Sequence, residues 1–143
     1  MKWRMADKEV FLSVDLEEKH SYSWATDATI TLEIEKLEFT EINLTFLTGI
    51  EHIQSIEILS SKEIENEFYA IIEFGHMTNP GSNGRGYCGA GYENFIGFIK
   101  VDDSLELEEF EFRQTTSCLK DIPENLYSFN KNNPENGIKE NKY

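Results

Sequence analysis

"YENFIGFIKVDDSLELEEFEF" (92–112) is the stretch whose reading decides the fold. Its opening run, "YENFIGFIKV", is rich in Phe, Ile and Val, residues that suit the pleated, half-buried surface of a strand. Asp102-Asp103-Ser104 then supplies turn chemistry, and alternation resumes at Leu105 and Leu107. Phe110 and Phe112 fall on the opposite parity from those leucines. Side chains alternate with a period of two, so one extra residue flips the face, and a bulge is expected at Glu108-Glu109. The runs 92–101 and 105–114 therefore predict an antiparallel hairpin. With Asp102-Asp103 as its loop, Leu107 faces Phe98 and, beyond the bulge, Phe110 faces Ile96. Carried outward, that register sets Cys118 opposite Cys88; a three-residue loop fits the hairpin almost as well but misses that match by one. The two are then structural cysteines on neighbouring strands, expected as buried thiols in a reducing compartment.

Working outward, period-two patterning recurs. "VFLSVDL" (10–16), "TITLEIE" (29–35), "IQSIEIL" (53–59) and "EFYAIIEFG" (67–75) all read as strands. The last places Phe68, Ala70, Ile72 and Phe74 on one side and Tyr69 and Ile71 on the other, which predicts burial on both faces. "LEFTEINLTFL" (37–47) changes phase between Phe39 and Ile42, the mark of a bulge or turn. Helix signals are scarce. "SSKEIENE" (60–67) predicts one or two turns with Ser60 or Ser61 as N-cap and acids in the first turns. The expected fold is mainly β: an antiparallel sandwich or barrel-like sheet of about five to eight strands with little helix. Residues 1–120 read as one domain and 121–143 as a polar C-terminal tail. Such a tail is disordered alone, and its order depends on docking through Leu126, Tyr127 and Phe129.

Upstream of the hairpin, "HMTNPGSNGRGYCGAG" (76–91) is a long loop by composition. It contains a literal G-x-G-x-x-G at Gly84, Gly86 and Gly89. A dinucleotide cradle needs a helix N-terminus after the glycines, and here a strand follows, so nucleotide binding is disfavoured and no cofactor is expected. Cys88 as a nucleophile would need a base (His20, His52 and His76 are the candidates) or a positive field such as Arg85. The surrounding acidity raises a thiol pKa, which favours a structural role. Two cysteines thirty residues apart and three scattered histidines lack the close ligand pairs of a metal site.

"GYCGAGYE" (86–93), followed by the strand and by "TTSC" (115–118), resembles a pattern in small uncharacterised bacterial proteins. Those carry a Cys-Gly-Ala-Gly-x-Glu element and a downstream Ser-Cys. The similarity covers residues 84–118. It implies that Cys88, Gly89, Ala90, Gly91, Glu93 and Cys118 belong to one structural element, and it transfers no activity.

Charge bounds the function. Of 27 acids and 13 bases in the 143 residues, four of each fall between Lys120 and Tyr143. The net charge of −14 therefore sits on residues 1–119. Such a field repels nucleic acid and anionic membranes and attracts basic proteins. No apolar run approaches the roughly 20 residues of a membrane-spanning helix, and the N-terminus lacks the pattern of a secretory signal, so a cytoplasmic location is expected. The leading expectation is a non-catalytic binding protein, an inhibitor or immunity-type partner of a basic bacterial protein. Its surface would be the polar strand faces carrying Glu33, Glu35, Glu38, Glu41, Glu106, Glu108 and Glu111. One alternative is a ligand- or carbohydrate-binding β module using the 76–94 loop with Tyr87, Tyr92 and Asn94. The other is a thiol-dependent enzyme at Cys88.

Overall fold

In a computed structural model of the chain, residues 2–5, 8–18, 26–34, 38–50, 52–77, 92–104, 106–117 and 121–141 are described. For those before Ala28, and for 32–34, 38, 39 and Met77, the description is of the backbone alone. The chain is mainly β, as its alternation predicts. Two four-stranded antiparallel sheets follow one another in sequence, and in each the spatial order of strands is the chain order. The first holds β1 (Lys2–Met5), β2 (Lys8–Glu18), β3 (Thr26–Ile34) and β4 (Glu38–Asn43). The second holds β5 (Ser55–Ile64), β6 (Glu67–Met77), β7 (Tyr92–Val101) and β8 (Leu107–Thr116). A short helix, α1 (Leu44–Thr48), lies between them, the one α-helix among the described residues.

The two sheets pack face to face. Ala28, Ile30, Ile42 and Leu44 from the first half share one apolar core with Phe68, Ala70, Ile72 and Phe74 of β6 and Phe95, Ile99 and Val101 of β7. Gly97 sits in the middle of this face. A Cβ there would lie 3.0 Å from Ile72 Cγ1 and 3.3 Å from the Phe74 ring, so its bare backbone makes room for both. The aromatic rings of Phe74, Phe95 and Phe112 stack into the space, with Phe74 and Phe95 centroids 5.3 Å apart.

The double-sided burial expected of β6 is present. Its second face carries Ile71, which joins Ile96 and Phe98 of β7 in a separate cluster covered by Tyr127, Phe129 and Ile138. The C-terminal segment thus forms a third layer. Its short strands β9 (Tyr127–Ser128) and β10 (Lys139–Glu140) pair with each other, and the 3-10 turn Pro134–Asn136 lies between them. Ser60 Oγ donates to the carbonyl of Lys131 at 2.6 Å, and Lys62 Nζ reaches Asn132 O, Asn133 Oδ1 and Glu135 Oε2 at 3.3–3.5 Å.

The hairpin 92–116 forms, with its bulge at Glu108: Lys100 pairs with Glu109, but Val101 pairs with Leu107. Its register differs from the expected one. The connection runs from 102 to 106, closed by Asp102 N–H donating to Glu106 O at 2.9 Å, with Asp102 Oδ1 accepting from Ser104 N and Glu106 N. Leu107 therefore faces Val101 and Phe110 faces Ile99. Cys88 and Cys118 lie outside the described residues.

Two other expectations are corrected. Residues 60–64 are not helical: β5 continues through a bulge between Ile58 and Ser60 and ends in a tight turn at Glu65 and Asn66, with φ of 51° and 67°. Such a pair of left-handed residues matches the twist of a two-residue hairpin. Residues 44–47 are not strand. Asn43 Oδ1 accepts from Phe46 N at 2.9 Å and Gly49, with φ 76°, closes the far end of α1. The helical turn rotates Phe46 out to solvent at 85% exposure.

Candidate functional site

The second sheet has two chemically different ends. At one end lie the β5–β6 turn and the β7–β8 connection, brought side by side because Phe68 pairs with Val101. The first tip carries Glu63, Glu65 and Glu67; the second carries Asp102, Asp103, Glu106, Glu108 and Glu109. The cation between the two tips is Lys100, with Lys62, the partner of Tyr69 on β5, reaching instead to the C-terminal segment. It is held by Glu67 at 3.0 Å and Glu108 at 3.1 Å, and its Nζ sits 5.8 Å from the Tyr69 ring centroid. Hydrogen bonds from Lys100, to Glu67 first and then to Glu108, hold its ammonium above the ordinary lysine pKa. Burial, reinforced by Glu67, pushes the Tyr69 phenol upward. The result is an aromatic centre and the paired Lys100 beside a cluster of carboxylates.

The expected acidic residues distribute unevenly. Glu106 and Glu108 are exposed on the hairpin tip. Glu111 lies on the outer face of β8, 3.9 Å from the Arg113 guanidinium. Glu41 is exposed on β4, and Glu33 and Glu38 occupy paired strands of the first sheet, opposite Phe39 and Ile34. Glu35 lies outside the described residues.

The opposite end of the sheet, where β6 ends and β7 begins, holds a compact polar group. His52 Nε2 and His76 Nδ1 are 2.8 Å apart, one ring donating and the other accepting, and His76 stacks on Phe95 at 5.8 Å. Burial, and then the proximity of His76, lowers the His52 pKa from 6.5 to about 4. Across the strand pair from His76 stands Glu93, 6% exposed, whose carboxylate accepts from Gln114 Nε2 at 3.3 Å and from Ser117 Oγ. Tyr92 and Asn94 alternate with Glu93 and so face the other way. They are engaged across strands: the Tyr92 hydroxyl donates to Ser55 Oγ at 3.1 Å and Asn94 Nδ2 to Thr116 Oγ1 at 2.8 Å. Gly75 lies beneath them, and a Cβ there would come 2.6 Å from Glu93 O and 2.7 Å from both side chains. Tyr87 lies outside the described residues.

Sequence reasoning picked out the histidines only as partners for Cys88 and Glu93 only through the resemblance. A signal was present: Glu93 shares the parity of Phe95, Ile99 and Val101, which puts a carboxylate on the inner face of a strand. Gln114 and Ser117 carry no such mark. Among the described residues no group of three or more His, Cys, Asp or Glu side chains is arranged to hold a metal ion. No helix among them is long and apolar enough to cross a membrane. Comparison with known proteins finds no matching family, no matching curated protein and no matching solved structure.

Proposed function

We propose that this chain is a non-catalytic acidic binding protein, an inhibitor or immunity-type partner of a basic protein. The observation that carries the reading is the convergence of eight carboxylates on two adjacent hairpin tips around Lys100 and the Tyr69 ring. Exposed ion pairs each contribute only about 0–1 kcal/mol, so charge alone supplies encounter rate rather than affinity. Tyr69 supplies the anchor that such surfaces need at their centre. The partner is a protein presenting Lys and Arg, since this field repels nucleic acid and anionic lipid.

Affinity capture with low- and high-salt washes identifies the partner. The deciding measurement is its association rate with the wild type and with the variant carrying Glu65→Lys, Glu106→Lys and Glu109→Lys, all exposed positions. The screening length falls from about 30 Å to about 8 Å between 0.01 and 0.15 M salt. Over that range the wild-type rate is expected to fall at least about tenfold and the variant's to change little. A wild-type rate insensitive to both salt and charge reversal removes the proposal.

A second reading, a ligand-binding β module, is favoured by the buried Glu93 carboxylate beside amide and hydroxyl donors and two imidazoles at the foot of the 78–91 segment. It rests on Glu93 rather than on Tyr92 and Asn94, which bond across strands. A small polar ligand that raises the melting temperature of the wild type but not of Glu93→Gln would favour it; equal shifts would reject it.

A further inference from the structure

We propose that Asn136-Gly137 is a deamidation site, that docking of the C-terminal layer holds the reaction off, and that the product releases that layer from the second sheet.

The segment 126–141 closes on itself. β9 and β10 pair, Asn141 N–H donates to Leu126 O at 2.7 Å, and Asn141 Nδ2 donates to Asn125 O at 2.6 Å. Asn136, exposed, ends the 3-10 turn at the far side of this loop. The residue after it is glycine, whose backbone nitrogen has no neighbouring Cβ to obstruct attack on the Asn136 side-chain carbonyl carbon. In the reaction the Gly137 nitrogen loses its proton and bonds to Cγ, and ammonia leaves. Water then opens the cyclic imide to aspartate or to isoaspartate. No oxidant, metal or cofactor enters the balance.

In the docked loop that nitrogen is occupied. Gly137 N–H donates to Pro134 O at 3.0 Å, Asn136 N–H donates to Asn133 O at 3.0 Å, and Gly137 is buried with φ 73°. Attack requires the turn to open, so the rate follows the population of the opened loop. The product does not fit back. Aspartate adds a carboxylate next to Glu135, whose Oε1 is already buried without a hydrogen-bond partner. The adjoining Gly137 seats against Glu111, whose Oε1 is 3.8 Å from where a Cβ on Gly137 would sit. Isoaspartate instead inserts a main-chain carbon into a turn held by two consecutive hydrogen bonds. Either change disfavours the seat of the loop over Ile71, Ile96 and Phe98.

The test follows conversion by site-resolved mass spectrometry at mildly alkaline pH, because Asn83-Gly84 is a second Asn-Gly pair. At Asn136 the full chain is expected to convert at least about tenfold more slowly than a 121–143 peptide. Lys62→Met, which removes the side-chain contacts to Asn132, Asn133 and Glu135, should raise the rate several-fold. Hydrogen exchange should show 125–141 deprotected in converted chains while β6 and β7 stay protected, and Asn136→Gln should keep the segment protected throughout. Equal rates in chain and peptide overturn the protection. Protection of 125–141 that survives conversion overturns the release.

Discussion

Two imidazoles with nitrogens 2.8 Å apart can share a proton, but two charges at that distance repel strongly. His52 therefore carries a pH dependence. Its folded pKa of about 4 lies below the ordinary 6.5, so between those values the unfolded chain binds more protons. Stability is expected to be full above pH 6.5, to fall as pH drops, and to bottom out near pH 4. A shift of this size corresponds to about 3 kcal/mol, and for a partly exposed ring about 1–2 kcal/mol remains after solvent screening. Urea midpoints at pH 7.5 and 4.5 measure it, and His52→Gln should flatten the difference. Two glycines make a second comparison at this scale. Gly97→Ala meets flexible side chains and should cost about 1–3 kcal/mol. Gly75→Ala meets the Glu93 carbonyl at 2.6 Å, which cannot swing aside, and should cost more. Thermal melts of the two variants would reverse this order if β6 and β7 can spread apart. The inner-face position of Glu93 was legible from parity. The meeting of His52 with His76 was not, because it depends on where the 49–54 connection returns to the sheet.

Elements were legible where alternation was unbroken. The hairpin, its bulge at Glu108 and the double-sided β6 follow directly from parity. Register was missed because parity says nothing about loop length: a two-residue turn at Asp102-Asp103 and the observed connection to Glu106 leave the same alternating pattern. The difference lies in the Asp102 carboxylate, which accepts from two backbone N–H groups at 2.9 Å and so stabilises the wider loop. Asp102→Ala should cost about 1–2 kcal/mol, read as a lower urea midpoint with unchanged slope. An unchanged midpoint would mean that the closing backbone bond suffices. α1 was hidden because Leu44 and Phe46 continue the parity of Ile42. Its helix is specified by the ends, Asn43 and Gly49, rather than by the residues inside. Residues 60–64 misled in the opposite sense, since Ser, Lys and Glu favour a helix start while the bulge at Leu59 interrupts the strand pattern that would have corrected it.

At the scale of the whole molecule, the tail docks through Tyr127 and Phe129, which stood out in its sequence, and through Ile138, which the polar composition around it concealed. A chain ending at Ile122 should lose about 2–5 kcal/mol, because Ile71, Ile96 and Phe98 then face water. It should also bind a hydrophobic dye that the full chain does not. A truncated chain of equal stability would mean that the third layer adds nothing to the sandwich. The order of strands has a further consequence. Each sheet is a plain meander, complete before the other begins, so every strand finds its partner next to it in the chain. On a ribosome adding roughly 5–20 residues per second, the first sheet therefore emerges whole and then waits roughly 3–12 seconds for the 55–116 segment that covers it. During that interval the face bearing Ala28, Ile30, Ile42 and Leu44 has nothing to pack against. Nascent chains of this protein are thus expected to engage chaperones in one burst, between the synthesis of β4 and the synthesis of β7, and to be most vulnerable to aggregation if translation stalls there.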